Sequence, residues 1–164
     1  MAGMPEDIEA AEKVAAEDVV AAREEALAKQ LEEMKRRKQK LVDPLQYEMS
    51  IQAEDLVNYV PVFPAEMAPP SDKQLKALEK FGILPDVVEN SGKASLLLNR
   101  LAKRRDEGLA TPKQIRTLER YGFLHVGTWS FADANSMISR IAAKDWKRVP
   151  DGIIPSQYVP GGAA

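Results

Sequence analysis

Two sets of three cations recur at one spacing. Lys73, Lys76 and Lys80 stand at i, i+3 and i+7, and Lys113, Arg116 and Arg120 take the same places 40 residues later. On a helix this spacing forms one face. A second pair, Arg100 and Arg104, recurs as Arg140 and Lys144. Packing asks only that a solvated face be polar, so it does not explain why the charge is duplicated. A phosphate backbone does, because its charges are periodic and lysine and arginine contact it without reading sequence. These ten residues are candidate contacts to DNA or RNA. The competing account pairs Glu79 and Glu119 with Lys76 and Arg116 and leaves the face merely solvated.

Other chemistry is poorly supplied. Ser91-Gly92-Lys93-Ala94-Ser95 has the ending of a phosphate-binding loop. The glycine required five residues before Gly92 is Val87, however, and no strand precedes it. His125 is the only histidine and cysteine is absent, so neither a histidine cluster nor a thiolate site for a metal is expected. No nucleophile, base and orienting acid gather at a recognisable spacing. The expectation is a protein that is not an enzyme and holds no cofactor. Trp146, near Lys144, Lys147 and Arg148, could stack on a base or close the domain edge. Trp129 and Phe131 are expected to staple a loop to the core.

The cations sit within a stretch that is written twice. Residues 71–102 and 111–142 align without a gap: Lys73, Gln74, Leu78, Glu79, Gly82 and Ala94 fall on Lys113, Gln114, Leu118, Glu119, Gly122 and Ala134. Such repetition marks a helical unit that needs a second copy to bury its apolar face. Ser71-Asp72-Lys73-Gln74 and Thr111-Pro112-Lys113-Gln114 are capping boxes, with Pro112 at the first helical position. Gly82 and Gly122 stand where a left-handed residue stops the first helix. A second helix is expected from Ser91 or Ser130, with Ala94, Leu97, Leu98 and Leu101, or Ala134, Met137, Ile138 and Ile141, facing inward. Two such hairpins make an all-α, four-helix domain over residues 71–150, followed by a tail at 151–164, and it is expected to be stable alone.

Residues 1–42 predict one long charged helix over 5–42, with Pro5, Glu6 and Asp7 suited to its start. Glu9–Lys13, Glu25–Lys29, Glu32–Arg36 and Glu33–Arg37 are spaced as i,i+4 pairs. Val20, Leu27, Met34 and Leu41 repeat every seven residues, but the partner column holds only Leu31 between Glu24 and Lys38, which is half a coiled-coil seam. The run Lys35 to Lys40 either complements the helix dipole or serves as a phosphate-contacting arm. Residues 43–70 are an acidic, proline-rich strap with room for a short helix over Gln52–Tyr59. Its Tyr47, Leu56, Tyr59 and Phe63 are too apolar for a free linker, so it should lie on the repeat domain or on a partner.

The net charge of -2 conceals a division: residues 43–70 carry five acidic and no basic side chains, whereas residues 71–150 carry an excess of +6. Asymmetry of this kind concerns partners. No apolar run approaches the ~20 residues that span a bilayer, and no signal peptide is evident, so a cytoplasmic protein without a membrane partner is expected.

Several runs also resemble a known family. They include Asp43-Pro44-Leu45, Tyr59-Val60-Pro61, Ala68-Pro69-Pro70-Ser71, Lys80-Phe81-Gly82-Ile83 and Lys93 to Leu98. Ala110 to Arg116, Glu119 to Phe123 and His125 to Phe131 extend the likeness. Together, over roughly residues 43–160, they are similar to the C-terminal region of phage and mobile-element superfamily 2 helicases of the DEAD/DEAH type. The phosphate-binding loop and acidic motif of the helicase core are not in this sequence, so ATPase and unwinding activity do not carry over. The resemblance implies an accessory module, either the tail of a larger helicase or a separate product starting at Met1. It would act beside a helicase core or in another nucleoprotein complex. The alternative is an adaptor or inhibitor that docks on a partner protein through the long helix and the strap.

Overall fold

The computed structural model describes residues 5–161, and among them eight α-helices and no β-strand form. No helix among the described residues is long and apolar enough to cross a membrane. The chain divides into two compact units, Met1–Gln39 and Lys40–Ala164.

The first unit is a single helix, α1, Pro5–Lys40. At 1.5 Å per residue its 36 residues extend ~54 Å. Every side chain from Glu9 to Arg36 is exposed, including Val20, Leu27, Leu31 and Met34 of the broken seam. The spaced pairs Glu9–Lys13, Glu25–Lys29 and Glu32–Arg36 do not close into ion pairs. Fully solvated charges gain little from pairing and lose side-chain freedom by it. The side chains of Glu6 and Asp7, expected to favour the helix start, lie outside the described residues.

In the second unit the strap is not a linker. It folds into three short helices, α2 (Pro44–Ser50), α3 (Glu54–Val57) and α4 (Pro64–Met67). Pro44 and Pro64 start helices here, at the first position where a missing N–H costs nothing. Before α2, Val42 makes a parallel bridge to Ile83: its N–H donates to the Gly82 carbonyl at 2.7 Å and its carbonyl accepts from Leu84 at 2.8 Å. Tyr47, Ala53 and Leu56 are buried in the common core. Two glycines give the strap its seats. A Cβ on Gly127 would meet the Ser50 carbonyl oxygen at 2.6 Å, and one on Gly92 would collide with the Tyr59 hydroxyl.

The duplicated stretch folds as two hairpins, α5 (Asp72–Lys80) with α6 (Ser91–Asp106), and α7 (Pro112–Arg120) with α8 (Phe131–Ala142). Both capping boxes form, with Ser71 and Thr111 accepting from the amides of Gln74 and Gln114. Each of these glutamines also joins its hairpin. Gln74 Nε2 donates to the Ser91 carbonyl at 3.2 Å, and Gln114 Nε2 to the Phe131 carbonyl at 3.4 Å. At the other end Gly82 (φ 86°) and Gly122 (φ 92°) take the left-handed conformation. The amides of Ile83 and Phe123 then reach back to Leu78 and Leu118, and Ile83 and Phe123 enter the core. This is a Schellman stop written twice.

Three details differ from the sequence reading. Asn90, not Ser91, caps α6, its Oδ1 accepting from Lys93 N–H at 2.8 Å. Leu98 and Ile138 are only half-buried; the fully buried stripe is Ala94, Leu97 and Leu101, matched by Ala134, Met137 and Ile141. Trp129 does staple its loop, but Phe131 points out and is 48% exposed. Residues 71–150 therefore do not close their own core. The strap fills it from one side, and Ile153 and Tyr158 of the C-terminal segment pack against it, with Tyr158 edge-on to Phe123.

Candidate nucleic-acid interface

The candidate cations fall into two groups. Lys73, Lys76 and Lys80 on α5 are exposed, as are Lys113 and Arg120 on α7 and Arg140 in the last turn of α8. No acidic partner is described for any of these six. The stem of Lys113 lies across Gly82, its Cε 3.2 Å from where a Cβ would stand. The stem of the first cation of the second stripe thus sits just beyond the C-terminal end of α5, which carries Lys80.

The remaining four are engaged in the fold. Arg100 meets Asp55 of the strap at 2.6 Å. Lys144 lies 3.6 Å from Asp151. Arg116 donates to the Leu41 carbonyl at 2.9 Å, and burial, helped by the like charge of Arg120, lowers its pKa. Arg104 is the clear correction: it is buried, at 9% exposure, and is not on an outer face. Its Nη2 donates to the Gly127 carbonyl at 2.8 Å and more weakly to Ala110 at 3.5 Å. On α6 it continues the buried stripe Ala94, Leu97, Leu101 by one more turn, which places it inside.

Tyr47 lies beside Arg104. Burial raises the pKa of its hydroxyl, while the charge and hydrogen bond of Arg104 oppose the shift. Nearby, Lys93 of α6 pairs with the buried Glu48 of the strap. Nζ donates to Oε2 at 3.1 Å and stands 2.7 Å from Oε1, and it also bonds the Leu56 carbonyl. Lys93, the lysine of the loop-like run, is thereby spent on structure.

Sequence reasoning also missed residues here. Arg105 lies with its guanidinium 5.5 Å from the centroid of Phe81. The available signal was the loss of the repeat at that point, where Arg104-Arg105 aligns with Lys144-Asp145. No group of histidine, cysteine or acidic residues with metal-binding geometry occurs among the described residues. What the arrangement offers is a set of solvated cations on two equivalent helices. That suits binding of an extended anion. Compared with protein-family models, curated proteins and solved structures, the chain matches none of them.

Proposed function

We propose that this chain is a non-catalytic nucleic-acid-binding module that contacts the phosphate backbone and serves a helicase or related nucleoprotein machine in the cytoplasm. The observation that carries the reading is the cationic stripe that recurs in register on α5 and α7, exposed and without described acidic partners at Lys73, Lys76, Lys80, Lys113 and Arg120. The structural members of the repeat, its caps, glutamines and glycines, recur because the fold requires them. Among the outer cations Arg116 is held by the Leu41 carbonyl, whereas Lys73, Lys76, Lys80 and Arg120 recur without any such requirement. The link to phage and mobile-element helicases rests on the sequence resemblance.

A second reading, a protein adaptor, is favoured by α1, whose side chains from Glu9 to Arg36 are exposed around the helix. The strap contributes less to that reading, since Tyr47, Glu48 and Leu56 are buried in the fold. Purification of the full chain separates the two. Retained nucleic acid, seen as a raised 260/280 nm absorbance ratio that high salt removes, supports the first. A protein complex that survives nuclease, from a chain that binds no labelled oligonucleotide at low salt, contradicts it.

A further inference from the structure

The seam between the two hairpins holds a cavity of about 430 Å³ that the backbone reading does not use. Lys80, Arg104 and Arg105 stand in its walls, and no carboxylate does. Phe81, Leu101, Pro112 and Phe131 supply much of the remainder. Arg104 is held there by neutral groups only, the two carbonyls and Tyr47, and its Nε has no partner. A buried guanidinium is costly unless a counter-charge reaches it. An anion entering the cavity would meet that charge where the dielectric is low and attraction strong.

Among the described residues the second hairpin does not repeat this cluster. Helix α6 runs to Asp106, whereas α8 stops at Ala142. The extra turn carries Arg104 and Arg105 to the seam, while their counterparts are Lys144, which faces Asp151, and Asp145. Arg105 does contact Asp106, with Nε 3.3 Å from Oδ1, but both side chains are exposed and such a pair is readily exchanged for another.

The walls narrow the choice of anion. Inorganic phosphate would leave the apolar surface unmet. A ring attached to a phosphate meets both parts: Pro112 and the half-exposed Phe131 offer a base apolar faces, and the cations take the charge. The volume lies in the range of small-molecule sites. We propose that the seam cavity receives one nucleoside phosphate unit, its base against Pro112 and Phe131 and its phosphate on Lys80, Arg104 and Arg105. The inference rests on the nucleic-acid reading and sharpens it, because a base can enter only when unstacked. The ligand is a single strand or a free nucleotide, not an intact duplex.

The test compares a labelled twelve-residue oligothymidylate with a duplex of equal length, binding the full chain at fixed salt, by fluorescence anisotropy. The single strand should bind roughly 10-fold tighter, the scale of one added base stack. Arg105→Gln and Phe131→Ser should each remove most of that advantage and leave duplex affinity and melting temperature unchanged. Equal affinity for the two forms, with both variants like the wild type, overturns the cavity proposal and leaves the backbone reading standing. If neither nucleic acid binds, the backbone reading fails, and a titration with adenosine monophosphate followed at the amides of Gly108, Leu109 and Phe131 decides the cavity alone. Saturable shifts that Arg105→Gln abolishes support it. Absent shifts, or an equal response to inorganic phosphate, overturn it.

Discussion

Replacing Gly127 by alanine tests whether the strap is part of the fold, and its sign alone decides the matter. Gly127 does not have a positive φ, so its backbone admits alanine without strain. If the strap were undocked, the change would stabilise the protein by about 0.4–1 kcal/mol through the unfolded chain. With the strap docked, the new methyl meets the Ser50 carbonyl oxygen at 2.6 Å and the Ile51 Cα at 3.0 Å. Both are backbone atoms at the end of α2, so no side chain can rotate away. Contact at ordinary distance requires α2 or the Gly127 loop to move by most of an ångström, and the Gly127 carbonyl is also where Arg104 is anchored. Overpacking of this kind costs ~1–3 kcal/mol. For a unit of this size that is a fall of roughly 4–12 °C in melting temperature. Thermal unfolding followed by circular dichroism measures it. A variant that melts at or above the wild-type temperature would refute the docked strap.

Three further outcomes follow from the same contacts. Lys93→Ala leaves Glu48, whose side chain is 2% exposed, as a buried unpaired charge and should cost ~3–5 kcal/mol in urea unfolding; removing both charges as Lys93→Met with Glu48→Leu should recover most of it. The Glu66 carboxylate accepts from the Val62 and Phe63 amides at 2.8 and 3.3 Å, and these bonds hold its pKa below the usual value. Their contribution is therefore present above the ordinary glutamate pKa of ~4.3 and lost as pH falls through the lowered one. The Val62 and Phe63 amide shifts should titrate with Glu66 and stop doing so in Glu66→Gln; titration at or above the ordinary value would contradict this. Backbone amides of α1 should exchange fast in dilute protein while those of 94–101 and 134–141 stay protected, and uniform protection would show α1 to be packed.

The parts of the fold that were legible in the sequence are those with local, repeated causes. A hydroxyl followed three residues later by glutamine closes a capping box, and a glycine after the last turn ends the helix, in both copies. The strap was harder. Tyr47 and Leu56 mark it as a packed segment, but its helices of four to seven residues are too short to show a period that would place them. The α6 cap fell one residue early because Asn90 and Ser91 are both good caps and only the backbone geometry chooses between them. The alignment of Arg104 with Lys144 points outward, but its spacing from Leu97 and Leu101 places it on the buried stripe, and the spacing prevails. Of the candidate site, the exposed lysines of α5 and their counterparts on α7 could be read directly from the 40-residue offset. The seam cavity could not, since it depends on how two hairpins meet.

The central claim, that the repeated stripes hold a phosphate backbone, is tested most directly by the salt dependence of nucleic-acid binding. Lys73, Lys76, Lys80, Lys113 and Arg120 are exposed, so changing all five to glutamine should leave the melting temperature nearly unchanged, while Arg116 is retained because it anchors Leu41. For the wild type, the logarithm of duplex affinity should fall linearly with the logarithm of salt concentration, by about 0.9 for each phosphate neutralised. In the five-site variant that slope should drop by up to roughly 4–5, with affinity lowered alike across sequences. A variant with the wild-type slope and affinity would contradict the claim.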